Sequence, residues 1–161
     1  MGRSGRQTVN VWGALSAEGL GPLVRIQRLN SETYCDVIEH ELIPYVLEGP
    51  FPDGCFFFQH DLCPVHQSNR VRDLLEERGV AVMPWPPKGA DMNPIENIWG
   101  NMKIQLSRRG LHSVTTDQLW DAVKEEWDRL RQCPELVVNL YESFPRRMNA
   151  ICEANGEFCK Y

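Results

Sequence analysis

The sequence predicts an α/β fold, a mixed sheet flanked by helices, in a single domain over residues 1–161. Three observations predict it. Strand-like segments alternate with helix-like segments, which is typical of sheets covered by helices. The length of 161 residues suits one hydrophobic core. The apolar share of 42% and the charged share of 24% are those of an ordinary globular protein, and no apolar run reaches the roughly 18 residues needed to span a membrane.

The first elements are a predicted hairpin and a helix. Residues 8–16 are rich in β-branched and aromatic side chains, and residues 22–27 have the character of a partner strand after the turn "AEGLG". A helix is predicted next, with Ser31 as its cap and apolar side chains at helical spacing. Pro44 lies late in this segment and is expected to kink or end the helix.

Two buried strands and an intervening helix are predicted for the middle of the chain. Residues 55–61, "CFFFQHD", form an apolar run that ends in polar side chains. A helix is predicted over residues 66–78, closed by Gly79 as a C-terminal cap. A second buried strand is predicted at residues 80–86, broken by "PKGA" at 87–90.

The remainder of the chain is predicted to be helical. One helix runs from Pro94 to about Arg108, another follows a capping box at Thr115, and the last begins at Pro134 and bends at Pro145. Three tryptophans lie on apolar helix faces and are predicted to pack in the core; they are Trp99, Trp120 and Trp127. Trp85, between prolines, stays open to base stacking.

Charge and cysteine content narrow the possible functions. The net charge of −5 does not indicate nucleic-acid binding by the chain as a whole. Local basic pairs remain, and Arg108 and Arg109 are weak candidates for phosphate contacts, with a solvated helix end as the alternative. The six cysteines include no CxxC pair, and no secretory signal supports a disulfide framework. They are therefore interpreted as reduced intracellular thiols that mostly fill the core.

A zinc site is one hypothesis for the histidines and cysteines near residue 60. His60, Cys63 and His66 are spaced three residues apart, and Cys55 lies nearby. These residue types ligate zinc, but no second close pair completes a standard spacing. The alternative is that Cys63 is buried and that His66 opens a helix.

Two carboxylates are the candidates for a site that binds a hard divalent cation. Asp61 ends a predicted parallel strand, where ligands of α/β sheets collect, and Glu96 begins the helix after the next strand. Such a pair could hold Mg²⁺ through oxygen ligands. The alternatives are structural: Asp61 as a turn residue, and Glu96 at the capping-box position of a helix that Asn93 caps and Pro94 opens.

Three segments carry a more specific signal. They are "VNVWGALSAEGLGPL" at 9–23, "FFFQHDLCPVH" at 56–66 and "VMPWPPKGADMNPIENIWG" at 82–100. Together they resemble the catalytic domain of mariner-superfamily transposases of the Tc branch. That family reads roughly "VWGAIS", "QDNAPCH" and "LPWPSQSPDLNPIENLWG". The resemblance covers nearly the whole chain.

The resemblance implies a ribonuclease-H-like fold and a phosphoryl transferase that cuts and joins transposon ends. Such enzymes use three acidic residues and Mg²⁺ or Mn²⁺. Asp61 corresponds to the second acid and Glu96 to the third, so both are predicted to be catalytic metal ligands. Water would attack a phosphodiester first, and the freed 3′-hydroxyl would then join target DNA. The implied setting is the nucleus, and the implied partners are DNA and a second copy or a full-length transposase.

The chain also departs from the family pattern. The family's first acid lies on a central strand upstream of the "VWGAIS" segment, whereas no Asp or Glu precedes Val11 here. That strand and the helix-turn-helix modules are therefore expected to be absent. Leu62 stands where the family usually has asparagine. Because a paired-metal site needs its third ligand, the chain is expected to be inactive alone. The alternative is a domesticated, non-catalytic protein that binds DNA or a partner transposase.

Overall fold

A computed structural model describes residues 7–86 and 89–153. Residues 87 and 88, in the predicted strand break, and Cys159 lie outside these ranges. The described residues fall into two compact units, residues 7–27 with 92–153 and Arg28–Asp91. The assignment of residues 1–161 to one domain stays a prediction. None of the helices in the described ranges has the length and apolar character needed to cross a membrane.

The first unit begins with the predicted hairpin. Strand β1, Asn10–Ser16, pairs antiparallel with β2, Gly19–Ile26. The second strand starts earlier than predicted because the turn is tight, and Gly19 adopts a φ of 138° that glycine tolerates. The register shifts between Gly13 and Leu15, which is the signature of a bulge.

Four helices complete the first unit. They are α4, Pro94–Arg108; α5, Thr116–Arg131; α6, Pro134–Glu142; and α7, Phe144–Glu153. The capping box at Thr115 and Gln118 is confirmed. The predicted bend near Pro145 is a break, because α6 ends at a C-cap on Ser143. The core of this unit joins β2 to α4, α5 and α6 through Leu20, Ile98, Met102, Val123, Trp127, Leu130 and Val137.

The predicted packing of the three helix tryptophans is confirmed. Trp127 is 1% exposed, and Trp99 and Trp120 pack against the same cluster. The rings of Trp99 and Trp127 stack with centroids 5.3 Å apart. These rings leave no room at the bulge, since a Cβ at Gly13 would lie 2.6 Å from Cη2 of Trp127 and 2.9 Å from Cη2 of Trp99.

We expect Gly13→Ala to lower the free energy of unfolding by about 2 kcal/mol, because a well-packed core must shift to accept the methyl group. Gly100→Ala is the matched control. It lies within α4, a Cβ there would meet nothing within 4 Å, and alanine favours helix by about 1 kcal/mol over glycine. Urea unfolding of both variants should therefore show opposite signs, and equal effects would contradict the packing.

The second unit begins with one continuous helical run. Helix α1, Ser31–Val37, passes into a π-helical turn at Ile38–Leu42 and then into α2, Ile43–Glu48. The prediction that Ser31 caps the run is wrong, because the Asn30 side chain accepts the Thr33 N–H at 2.8 Å. Pro44 does not end the helix. It sits in the first turn of α2, after the π turn has already changed the hydrogen-bonding ladder.

The strands of the second unit are shorter and more exposed than predicted. Strand β3 is only Phe57–Phe58, and it pairs parallel with β4, Ala81–Val82, across helix α3, Asn69–Glu77. The helix ends as predicted, with Gly79 at a φ of 67°. Burial of both strands was predicted wrongly: Phe58 is buried, but Phe57 is 73% and Val82 40% exposed. Successive side chains of a strand point to opposite faces of the sheet, so burial of Phe58 on one face leaves Phe57 on the other.

The prediction that the cysteines mostly fill the core is also wrong. Among the five cysteines of the described ranges, all are free thiols and only Cys35 is buried. Cys55 and Cys152 are exposed, and Cys63 and Cys133 are half-buried. The expectation failed because these residues lie in loops or at helix ends rather than on apolar faces.

Candidate metal centre

Asp61 lies in the loop that follows β3, three residues beyond the end of the strand. Its Oδ1 accepts the Cys63 backbone N–H at 3.1 Å and lies 2.6 Å from Nδ1 of His66. The first bond closes a local turn of the kind that Asp favours. The Asp61 side chain is nevertheless 62% exposed. The turn role and an accessible carboxylate therefore coexist at this residue.

A stack of rings supports Asp61 from the protein side. The His66 ring stacks on Tyr34 with centroids 4.1 Å apart and lies 5.2 Å from the His60 ring at an angle of 4°. The Tyr34 hydroxyl and Nδ1 of His60 share a hydrogen bond of 3.0 Å. Because Tyr34 is 1% exposed, this stack fixes His66 and, through it, the carboxylate of Asp61.

His60 is a structural residue in this arrangement. Burial lowers its pKa from the ordinary 6.5 to about 4, repulsion from His66 adds to the lowering, and attraction to Asp61 opposes it. The neutral ring is therefore held in the stack at physiological pH. Of the residues proposed for zinc, Cys63 and His66 do come together with Asp61, within 4.8 Å. His60 and Cys55 are not part of that group in the described structure.

Glu96 lies in the first turn of α4, as predicted. Asn93 is the N-cap, and its side chain accepts the Ile95 N–H at 3.3 Å. No reciprocal capping bond from Glu96 occurs in α4, in contrast to the full capping box of α5. The Glu96 side chain is exposed. Asp61 and Glu96 belong to different compact units, and their joint use of one cation stays a prediction.

The two arginines at the end of α4 differ in their surroundings. Arg109 binds Glu125 at 2.7 Å and Glu126 at 2.6 Å, whereas the one hydrogen bond of the Arg108 side chain within the described residues is a long one of 3.5 Å to Gln105. Both arginines are exposed. Their contact with nucleic acid stays a prediction, and Arg109 has a structural role in addition.

Sequence reasoning missed the buried carboxylate that Arg109 neutralises. Glu126 is 4% exposed, and Arg129 binds it from the next turn at 2.7 Å. Burial alone would raise the pKa of Glu126, but hydrogen bonds from Arg129 and Arg109 outweigh burial and lower it. The i,i+3 spacing of Glu126 and Arg129 was a visible signal, whereas the contribution of Arg109 was not. Tyr34 was likewise read only as an apolar helix position.

The chain matches a known family and several characterised relatives. The family model described as DDE superfamily endonuclease matches residues 2–119. The Tc1 transposase of Caenorhabditis elegans is 31% identical over 160 residues, covering 99% of this chain and 56% of the relative. The Tc3 transposase of the same organism is 36% identical over 158 residues, covering 98% and 47%. The chain thus spans about half the length of these relatives.

Solved structures agree with the fold. The crystal structure of the catalytic domain of Mos1 mariner transposase superposes with a TM-score of 0.83 at 16% identity, over 96% of this chain and 77% of that chain. A structure of the same catalytic domain with raltegravir and Mg gives 0.77 at 18% identity, over 94% and 76%. The Mos1 mariner paired-end complex with Mn gives 0.79 at 16% identity, over 99% and 48%.

These findings confirm the resemblance drawn from the motifs around Asp61 and Glu96. The structural likeness at low identity shows the fold, which is ribonuclease-H-like as predicted. The family match, which covers most of the chain, shows the lineage. This chain therefore belongs to the DDE superfamily of endonucleases, as a Tc/mariner transposase catalytic domain.

Proposed function

We propose that Asp61 and Glu96 together hold a divalent cation, Mg²⁺ or Mn²⁺, for the cutting and joining of transposon DNA. The observation that carries the proposal is the state of Glu96. A glutamate at this position of a helix ordinarily completes the capping box by accepting the N–H of the N-cap residue, but in α4 the Asn93 side chain caps the helix without a reciprocal bond from Glu96. In residues 7–86 and 89–153 the exposed carboxylate of Glu96 has no hydrogen bond or ion pair, so it is available as a ligand.

The residues present fit a hard cation. Both side chains offer carboxylate oxygens, which Mg²⁺ and Mn²⁺ prefer, and both are exposed. When bound, such a cation supplies charge stabilisation at the phosphate and activation of the attacking oxygen. The role of the chain is to orient the ligands. His66 and the Cys63 N–H both bind Oδ1 of Asp61, so within the described residues Oδ2 is left for a cation, and α4 fixes the backbone of Glu96.

DNA is the proposed substrate. The relatives are transposases, and a Mos1 structure contains a paired-end complex. Arg108, at the end of α4, has a long side-chain contact to Gln105 and is the better candidate for a phosphate, because Arg109 already engages two carboxylates. A protein that integrates DNA would act in the nucleus, which is the localisation we propose.

We further propose that these 161 residues alone bind the cation and DNA weakly without cleaving. Residues 1–10 contain no acid that could serve as the third ligand. Incubation with Mg²⁺ and end-labelled transposon-end DNA should therefore give retardation in a gel but no cleavage products. Efficient cleavage that depends on Asp61 would overturn the proposed inactivity.

The cation site predicts the behaviour of two variants. Asp61→Asn and Glu96→Gln should each lower affinity for Mn²⁺ at least about tenfold, or about 1.4 kcal/mol, because each removes one charged ligand. Because both carboxylates act on the same ion, the double variant should lose less affinity than the sum of the two single losses. Water-proton relaxation with Mn²⁺ measures both.

Glu135→Gln is the matched control for Glu96. It too is an exposed acid in a first turn, directly after the proline that opens α6. Its substitution should leave Mn²⁺ binding unchanged. If Glu135→Gln weakens binding as much as Glu96→Gln, the ions are attracted by helix-end charge in general, and the assigned site is wrong.

One observation favours the second candidate, a non-catalytic interaction protein. Phe57 on β3 is 73% exposed. The unpaired backbone groups of an edge strand can pair with a strand of another chain, and exposed apolar side chains often mark such contacts. A protein of this kind would use β3 to bind a transposase or a second copy. Phe57→Ser should then abolish self-association in sedimentation, whereas Ile104→Ser, at a 54% exposed position on α4, should not. Identical monomeric behaviour of all three proteins would rule out self-association through β3.

A further inference from the structure

Asp61 has two neighbours whose chemistry differs from that of a magnesium site. The ligand atoms of Asp61, Cys63 and His66 all lie within 4.8 Å of one another. They are a carboxylate oxygen, a thiol sulfur and an imidazole nitrogen. A tetrahedral zinc ion with bonds of about 2.0–2.3 Å places its ligands roughly 3.5 Å apart. The three atoms therefore lie close to the spacing that one such ion requires.

The local fold already holds two of these ligands in place. The turn bond from the Cys63 N–H to Asp61 Oδ1, at 3.1 Å, holds the backbone of Cys63 next to the carboxylate. His66 is fixed by its stack on Tyr34 at 4.1 Å, and its side chain is 15% exposed. Asp61, at 62% exposed, leaves the group open to solvent. The group is thus partly organised and accessible.

We propose that Asp61, Cys63 and His66 form a second cation site, selective for a borderline-soft divalent ion such as Zn²⁺. Thiolate and imidazole bind such ions far better than they bind Mg²⁺. Three protein ligands leave a fourth position for water. The group differs from the zinc hypothesis based on residue spacing, because Asp61 takes the place of His60, which is buried at 8% exposure.

The consequence is competition for Asp61. The hard cation of the proposed function uses Asp61 with Glu96, whereas the soft cation uses Asp61 with Cys63 and His66. Zn²⁺ would therefore antagonise Mg²⁺ or Mn²⁺. This antagonism rests on the proposed function, but the soft-ion site itself does not.

Cd²⁺ is the probe, since thiolate ligation gives an ultraviolet charge-transfer band. Titration of the reduced full chain should give one tight equivalent. Cys63→Ser should remove the charge-transfer band and lower Cd²⁺ affinity at least about tenfold. His66→Gln should lower the affinity by a similar factor while keeping the band. Cys55→Ser, an exposed thiol in the same unit, is the matched control and should titrate like the unmodified chain. Circular dichroism confirms that each variant is folded.

Two results would overturn the site: a Cd²⁺ titration of Cys63→Ser that equals that of the unmodified chain, or loss of the tight equivalent in Cys55→Ser. Glu96→Gln separates the two proposals. It should keep the Cd²⁺ site while losing Mn²⁺. Mn²⁺ should raise the apparent Kd of Cd²⁺ in the unmodified chain and not in Glu96→Gln. If Cd²⁺ binding depends on Cys63 but Mn²⁺ binding does not depend on Glu96, only the proposed function fails. If Mn²⁺ binding depends on Glu96 but Cd²⁺ binding does not depend on Cys63, only the soft-ion site fails.

Discussion

Trp127→Ala is expected to lower the free energy of unfolding by about 3–5 kcal/mol, the range for deleting a buried tryptophan. Trp127 is 1% exposed and stacks on Trp99. Its Nε1 donates to the Gly21 carbonyl at 3.0 Å, which ties α5 to β2. A loss of this size is a large part of a typical total stability. Urea unfolding followed by circular dichroism measures it.

Two further variants separate volume from hydrogen bonding. Trp127→Phe should cost less, because the Gly21 carbonyl keeps the Arg131 guanidinium at 2.6 Å and is not left unsatisfied. Trp120→Ala removes a half-buried ring at the margin of the same cluster, so it should cost about half as much or less. Equal losses in Trp127→Ala and Trp120→Ala would contradict the position of the core.

Stability should fall steeply as pH decreases from 6.5 to 4, by about 3 kcal/mol from His60 alone. Its folded pKa, about 4, lies below its ordinary value of 6.5. Between pH 6.5 and 4, His60 is therefore protonated in the unfolded chain but neutral in the folded chain. The contribution is fully present above pH 6.5 and is lost as pH falls through about 4. Denaturant unfolding at several pH values measures the slope.

His60→Gln should remove this part of the slope while keeping a polar partner for the Tyr34 hydroxyl. His40→Gln is the control, because His40 is exposed on the π-helical turn. Its slope between pH 6.5 and 4 should match that of the unmodified chain. A slope that survives in His60→Gln would assign the acid sensitivity to other groups and refute the role of the ring stack.

The helices and the hairpin could be predicted because their signals are local. Apolar spacing marked the faces of α4 and α5, and the capping box at Thr115 marked where α5 begins. The short strands could not be bounded in this way. An apolar run such as residues 55–61 indicates burial but not where a strand begins or ends. In the structure only Phe57–Phe58 of this run pairs with another strand. Strand length depends on pairing partners, which the run itself does not contain.

The site shows the same division. Asp61 and Glu96 were found by motif resemblance, whereas spacing alone favoured capping for Glu96. The structure confirms Asn93 as the N-cap, but α4 has no reciprocal capping bond from Glu96. The grouping of Cys63 and His66 with Asp61 depends on a loop turn and on the Tyr34 ring from a distant helix. Such contacts join residues that are far apart in sequence and leave no periodic pattern in it, so they could not be predicted.

The central claim is that Asp61 and Glu96 ligate one hard cation. Crystals of the chain soaked in Mn²⁺ test it most directly, through anomalous diffraction at the manganese absorption edge. The claim predicts one strong peak bonded to oxygens of both carboxylates, at about 2.1–2.2 Å, within the range of oxygen–cation bonds. A peak at Asp61 that is ligated without Glu96, or manganese bound only elsewhere, would contradict it.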